Sequence, residues 1–141
     1  MESDLWKTMR REVGPLGDIQ RIENLCRNGM PDTNGCIRSR DFWVELKWLA
    51  SWPKEATRIV LLPKYRQEQR IWIRRRIEAG ARNVFILLQV DTPRTYVLMD
   101  GWFAVHRLGF VSRASIEAGA LLYHEGTFPT ERLVALLRQE R

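Results

Sequence analysis

An α/β fold is what this sequence predicts, and three observations carry the prediction. Asp41 to Trp48 alternates strictly with period two, as a strand does. Tyr65 to Ala79, rich in Gln, Glu and Arg, reads as a helix, and the unbroken apolar run from Asn83 to Val90 reads as a buried strand. A strand joined through a helix to the next strand implies a parallel crossover, right-handed in nearly all sheets. With 141 residues, 45% of them hydrophobic and 28% charged, the chain has the size and balance of a single folded domain. We expect a core over about residues 2–100 and a C-terminal extension over about 101–141.

The first segment, Ser3 to Val13, is expected to be a helix capped by Ser3. Leu5, Met9 and Val13 recur at spacing four, and Gly14-Pro15 stops it. Asp18 to Glu23 is a short strand anchored by Ile19 and Ile22. Asn28-Gly29 and Asn34-Gly35 read as turns that bracket Pro31-Asp32. In the alternating strand Phe42, Val44, Leu46 and Trp48 share one face, and Trp43, Glu45 and Lys47 share the other. A loop punctuated by Pro53 and Pro63 follows, and Gly80 takes the C′ position of the next helix. Thr95 to Met99 is a strand after a Thr92-Pro93 turn. Ser112 to Leu122 carries no clear pattern, and a last helix runs from about Pro129 to Gln139, with Thr127 as cap and Pro129 in its first turn. The order is thus helix, two or three strands, helix, strand, strand.

Lysine and arginine total 23 against 17 acids, a net charge of +6, which suits phosphate-bearing partners without demanding them. No apolar stretch is long enough for a bilayer, and Met1-Glu2-Ser3-Asp4 lacks the features of a secretion signal, so a cytoplasmic protein with no membrane partner is expected. Cys26 and Cys36 have no CxxC partner and no nearby His, and read as free, partly buried thiols.

The chemistry concentrates in one string. Gly29-Met30-Pro31-Asp32 is followed, thirteen residues after the Asp, by Glu45-Leu46-Lys47 on the alternating strand. Two carboxylates from adjacent strands, with the Leu46 carbonyl between them, can hold a hard divalent cation such as Mg²⁺ or Mn²⁺. Lys47, on the face of Glu45, can orient an attacking water and stabilise charge developing on a phosphate. These are the needs of phosphodiester hydrolysis.

This arrangement resembles the PD-(D/E)XK nuclease superfamily, and within it the stand-alone virus-type replication-repair nucleases (VRR-Nuc) and small phage Holliday-junction-resolvase-like proteins. The resemblance covers roughly Glu2 to Val90. It implies a restriction-endonuclease-like core (αβββαβ) with a small mixed sheet flanked by helices. It further implies a Gln near the metal on the second helix, mapping to Gln69 with Gln67 as the weaker choice. A first-helix Glu is also implied, for which Glu2 and Glu12 are the options. Glu23 is a separate candidate, on its strand beside the same pocket. The implied activity is metal-dependent cleavage of DNA, with branched or flap structures favoured. A homodimer would present two sites about a two-fold axis, suiting a four-way junction. If phage-encoded, the protein would work in the host cytoplasm. The rival reading is a non-catalytic nucleic-acid-binding module with a nuclease-like fold.

Lys54, Arg58, Lys64 and Arg66 flank the string and are expected to contact nucleic acid, with Arg70 beside them on the helix. Arg74, Arg75 and Arg76 read equally well as solvated helix charge. Trp6, Trp72 and Trp102 are expected to pack in the core or over the sheet. Trp48 and Trp52 are more readily core than platforms for an unpaired base. His106 and His124 have no partner spacing and read as structural or surface residues.

Overall fold

In a computed structural model the chain is described over residues 2–22 and 29–139, the side chains of Glu2 and Ser3 excepted. Its elements in chain order are α1 (Glu2–Glu12), β1 (Asp18–Arg21), β2 (Thr33–Ile37), β3 (Arg40–Ser51), α2 (Gln67–Glu78), β4 (Val84–Thr92), β5 (Thr95–Asp100), α3 (Gly101–His106), α4 (Arg113–Gly119), β6 (Leu122–Glu125) and α5 (Thr130–Arg138). The strands form one mixed sheet in the order β1-β2-β3-β4-β5-β6. β3 and β4, joined through α2, are parallel as expected, with Glu45 beside Ile86. The other neighbouring pairs are antiparallel. The protein is α/β, and none of its described helices is long and apolar enough to cross a membrane.

Both faces of the sheet are covered, which is why β4 reads as a continuous apolar run rather than an alternation. On one face Leu5, Met9 and Val13 of the first helical segment and Leu133 and Leu137 of α5 meet Phe42, Val44, Leu46, Phe85 and Leu87. On the other, Ile73 of α2, Phe103 and Ala104 of α3 and Ile116 of α4 meet Val84, Ile86, Leu88, Val97 and Met99. Each fully buried large apolar side chain contributes about 1.5–3 kcal/mol.

The differences from expectation have local causes. Asn34-Gly35 does not turn the chain: it lies within β2, where a Cβ at Gly35 would strike the Phe42 ring, and Asn34 donates across to Asp41 Oδ1 and the Phe42 carbonyl. The reversal falls at Arg38 and Ser39, whose φ angles of 47° and 72° match the geometry of a tight two-residue hairpin. Asn-Gly is a strong local turn signal, and here close ring packing overrides it.

The residues after 100 are not an appendage. β6 lengthens the sheet beside β5, with Leu122 opposite Leu98, and α5 closes the α1-side core. Neither α3 nor β6 is anticipated from the sequence, although Asp100 caps α3 by accepting the Phe103 N–H at 2.8 Å. The patternless segment resolves into α4, capped by Ser112, and the start of β6. α5 starts at Thr130 with Pro129 itself in the cap position, so Thr127 lies too early to cap it. Trp102 does not cover the sheet either: it is half exposed on α3, against His106 and with Arg107 over its ring. Cys36 is free and exposed rather than partly buried, and Cys26 lies outside the described residues.

Candidate functional site

Alternation along β3 sends Leu46 into the α1-side core and turns Glu45 and Lys47 toward α2. That second face is no solvent face. α2 and the segment before it cover it, leaving Glu45 only 1% and Lys47 2% exposed. The Lys47 Nζ lies 3.8 Å from Glu45 Oε1 and donates to the Lys64 carbonyl at 2.8 Å. Burying such a pair is costly unless the remaining donors and acceptors are also satisfied. Gln69 helps to satisfy them. Its Oε1 accepts the Arg66 N–H at 2.9 Å, which directs Nε2 at both oxygens of Glu45, at 3.2 and 3.3 Å. The contact with the Arg66 N–H is half of a capping box for α2, since the Arg66 side chain has no acceptor to complete it. Gln69 is therefore a positioning residue for Glu45, with both ends of its amide engaged. Gln67, the weaker choice, is exposed.

Asp32 reaches the same place from the other side, through the sheet's own geometry. β2 accompanies β3 only as far as Val44, where Thr33 Oγ1 donates to the Val44 carbonyl at 2.8 Å. Beyond it β3 runs on with β4 alone, so the Leu46 N–H needs another acceptor, and Asp32 Oδ2 supplies it at 3.0 Å. In a strand the N–H and C=O of one residue point the same way, so the Leu46 carbonyl opens on the side of Asp32. The turn leading to Asp32 sits on α2. Gly29 has φ of 95°, and any Cβ there would collide with the Glu68 carbonyl. Glycine is required at that point on both counts.

Three elements thus bring Asp32, Glu45, Lys47 and Gln69 together. The two carboxylates and the Leu46 carbonyl offer hard oxygens, the donor type that could hold Mg²⁺ or Mn²⁺. Among the described residues no three His, Cys, Asp or Glu side chains converge. Of the candidate further acids, Glu12 ends α1, where it accepts from Thr130 Oγ1 at 3.4 Å and lies 3.6 Å from Arg11. The side chain of Glu2, and Glu23 altogether, lie outside the described residues.

The basic residues divide. Lys54, Arg58, Lys64 and Arg66 are exposed, Arg58 lying 3.8 Å from Glu55. Arg70 is not available to a phosphate. Its guanidinium donates to the carbonyls of Ala104 at 3.1 Å, Val105 at 2.7 Å and Leu108 at 2.8 Å, stapling α2 to the C-terminal end of α3. The rings of Tyr65 and Phe110 lie 4.6 and 5.1 Å from that guanidinium. The Tyr65 hydroxyl donates to the Ala104 carbonyl at 2.8 Å, and burial pushes its pKa up to about 12, against the pull of Arg70. Arg74 and Arg75 are exposed, and Arg76 lies over Trp72. Trp52 is buried and stacked on Tyr123, and Trp48 is half-buried.

The backbone partners of this site leave no mark in the sequence. The Lys64 carbonyl and the Arg66 N–H have no side-chain signature, whereas the Gly29-x-Pro-Asp string does. Compared with known proteins, the chain matches no protein-family model and no curated protein.

Proposed function

We propose that this chain is a divalent-metal-dependent nuclease that hydrolyses DNA phosphodiester bonds, with a restriction-endonuclease-like core running from α1 to β4. The observation that carries the proposal is the hydrogen bond from the Leu46 N–H to Asp32. It sets one carboxylate a single peptide away from Glu45, on the side to which the Leu46 carbonyl opens, with Lys47 as the next residue on the same face.

Asp32, Glu45 and the Leu46 carbonyl would hold Mg²⁺ or Mn²⁺, which when bound supplies Lewis acidity and a more acidic water. Gln69 fixes the Glu45 carboxylate. Lys47, anchored on the Lys64 carbonyl, holds its amine beside that carboxylate, where it orients the water and faces charge developing on the phosphate. Charge complementarity along Lys54, Arg58, Lys64 and Arg66 suits the phosphate backbone. No separate base-reading module stands apart from the sheet among the described residues, which favours selection of branched or flap DNA by shape over reading of a base sequence.

The test is Asp32→Asn. Asparagine keeps an oxygen for the Leu46 N–H and removes the charge, so the fold should be retained by circular dichroism. Mg²⁺- or Mn²⁺-dependent cutting of flap, junction, nicked and linear DNA should fall by at least about a hundredfold, and calorimetric Mn²⁺ binding should weaken with it. Undiminished cutting by Asp32→Asn, or chelator-insensitive cutting by the wild type, rejects the assignment. Preferred cutting of linear duplex at one sequence rejects the structural selectivity alone.

A further inference from the structure

Exposed large apolar side chains stand on the segment that leads into α2 and on the loop after α3. Ile59 bridges to Ser112 in antiparallel sense, and the Val60 N–H donates to the Val111 carbonyl at 3.0 Å, which brings the segment of Leu61 alongside the one that carries Phe110. Alternation sends Val60 and Leu62 into the core and leaves Ile59 47%, Leu61 66% and Phe110 64% exposed. The ring of Phe110 is not loose. Gly109, with φ of 95°, turns the chain before it, and the ring lies over the Arg70 guanidinium, itself locked by three carbonyls.

Two routes tie these side chains to the site. Arg70, under Phe110, follows Gln69 directly, and the chain leaving Leu61 reaches Lys64, whose carbonyl holds Lys47. Ile59 and Leu61 are bordered in the chain by exposed Arg58, Lys64 and Arg66. A rigid aromatic edge among cations matches a ligand offering both an apolar ring face and phosphates, which is the chemistry of an unpaired base.

We propose that Ile59, Leu61 and Phe110 read the branch in the DNA substrate. They receive the base exposed where the strands part, while Arg58, Lys64 and Arg66 hold the flanking phosphates. This rests on the reading of DNA as the substrate.

The experiment places 2-aminopurine at the branch nucleotide of a flap and of a four-way junction, with an unbranched duplex of equal length as comparison. Binding is measured in chelator. The wild type should prefer the branched forms and alter the 2-aminopurine fluorescence. The Leu61→Ser/Phe110→Ser double variant should lose about tenfold of that preference together with the fluorescence change. Trp102→Ser, at a half-exposed ring on α3, should lose neither. A double variant that discriminates as well as the wild type overturns the proposal. So does one that retains discrimination and only shifts a dimer to monomer in sedimentation, since these side chains would then join two copies of the chain. A wild type that selects branched DNA in chelator but never cuts it with Mg²⁺ or Mn²⁺ sinks the nuclease and leaves the branch reader standing. A wild type that cuts, paired with a double variant of unchanged preference, sinks the branch reader alone.

Discussion

On the α1 side of β3, Phe42, Val44 and Leu46 meet apolar neighbours throughout, whereas on the α2 side Trp43 gives way to Glu45 and Lys47, which are just as buried. The two faces belong to one strand and differ by one residue of phase. The apolar face does what a core face does: it removes hydrocarbon from water and adds stability. The other face buries two charges that water would solvate better, and holds them with Gln69 and the Lys64 carbonyl. A fold that needed only stability would place apolar residues there. The proposed chemistry rests on the polar face, and the apolar face supports it.

This contrast can be broken in several ways. Phe85→Ala on the α1 side should destabilise the protein most, by about 3–5 kcal/mol in urea unfolding. A cost below about 1 kcal/mol would mean that this face is not the load-carrying core. Lys47→Met leaves Glu45 buried with Gln69 as a remaining donor, and should cost about 3 kcal/mol. The double variant Glu45→Gln/Lys47→Met should return to within about 1 kcal/mol of wild type, because no charge is left to desolvate. Equal losses for the single and the double variant would show that these charges contribute to stability in their own right.

Arg70→Met should cost about 2 kcal/mol through three unmet carbonyls, and Arg70→Lys should recover little, since an ammonium cannot reproduce the planar fork. Unchanged stability in both would return Arg70 to the list of possible phosphate contacts. The smallest effect concerns Tyr65. Its folded pKa, about 12, lies above the usual tyrosine value of about 10, so its neutral phenol contributes stability in full below pH ~10. That contribution is lost as pH rises through about 12. Tyr65→Phe should remove a phenol that ionises at about pH 12 from the absorbance titration at 295 nm and flatten the loss of stability in that range. A titration unaltered by the substitution would refute the burial of its hydroxyl.

Much of this architecture is written in local pattern. Period two in Asp41 to Trp48 gives β3 and the shared face of Glu45 and Lys47. Spacing four in Leu5, Met9 and Val13 gives the buried side of α1. The apolar run after Gly80 gives β4 and its parallel pairing with β3, because a strand covered on both faces has no polar alternation to show. These features depend on neighbours in the chain, and a sequence displays them directly.

What tertiary structure alone decided are the contacts between residues far apart in the chain. The Leu46 N–H finds Asp32 because the pairing of β2 stops opposite Val44, and no local pattern marks where a partner strand ends. Gly35 packs against a ring rather than turning the chain, Arg70 turns inward because the carbonyls at the end of α3 lie beneath it, and the face of Glu45 and Lys47 is roofed by α2. Desolvation and hydrogen-bond satisfaction are properties of the assembled surroundings. A side chain's chemistry is therefore legible in the sequence, while its accessibility and its partners are determined only when distant segments meet.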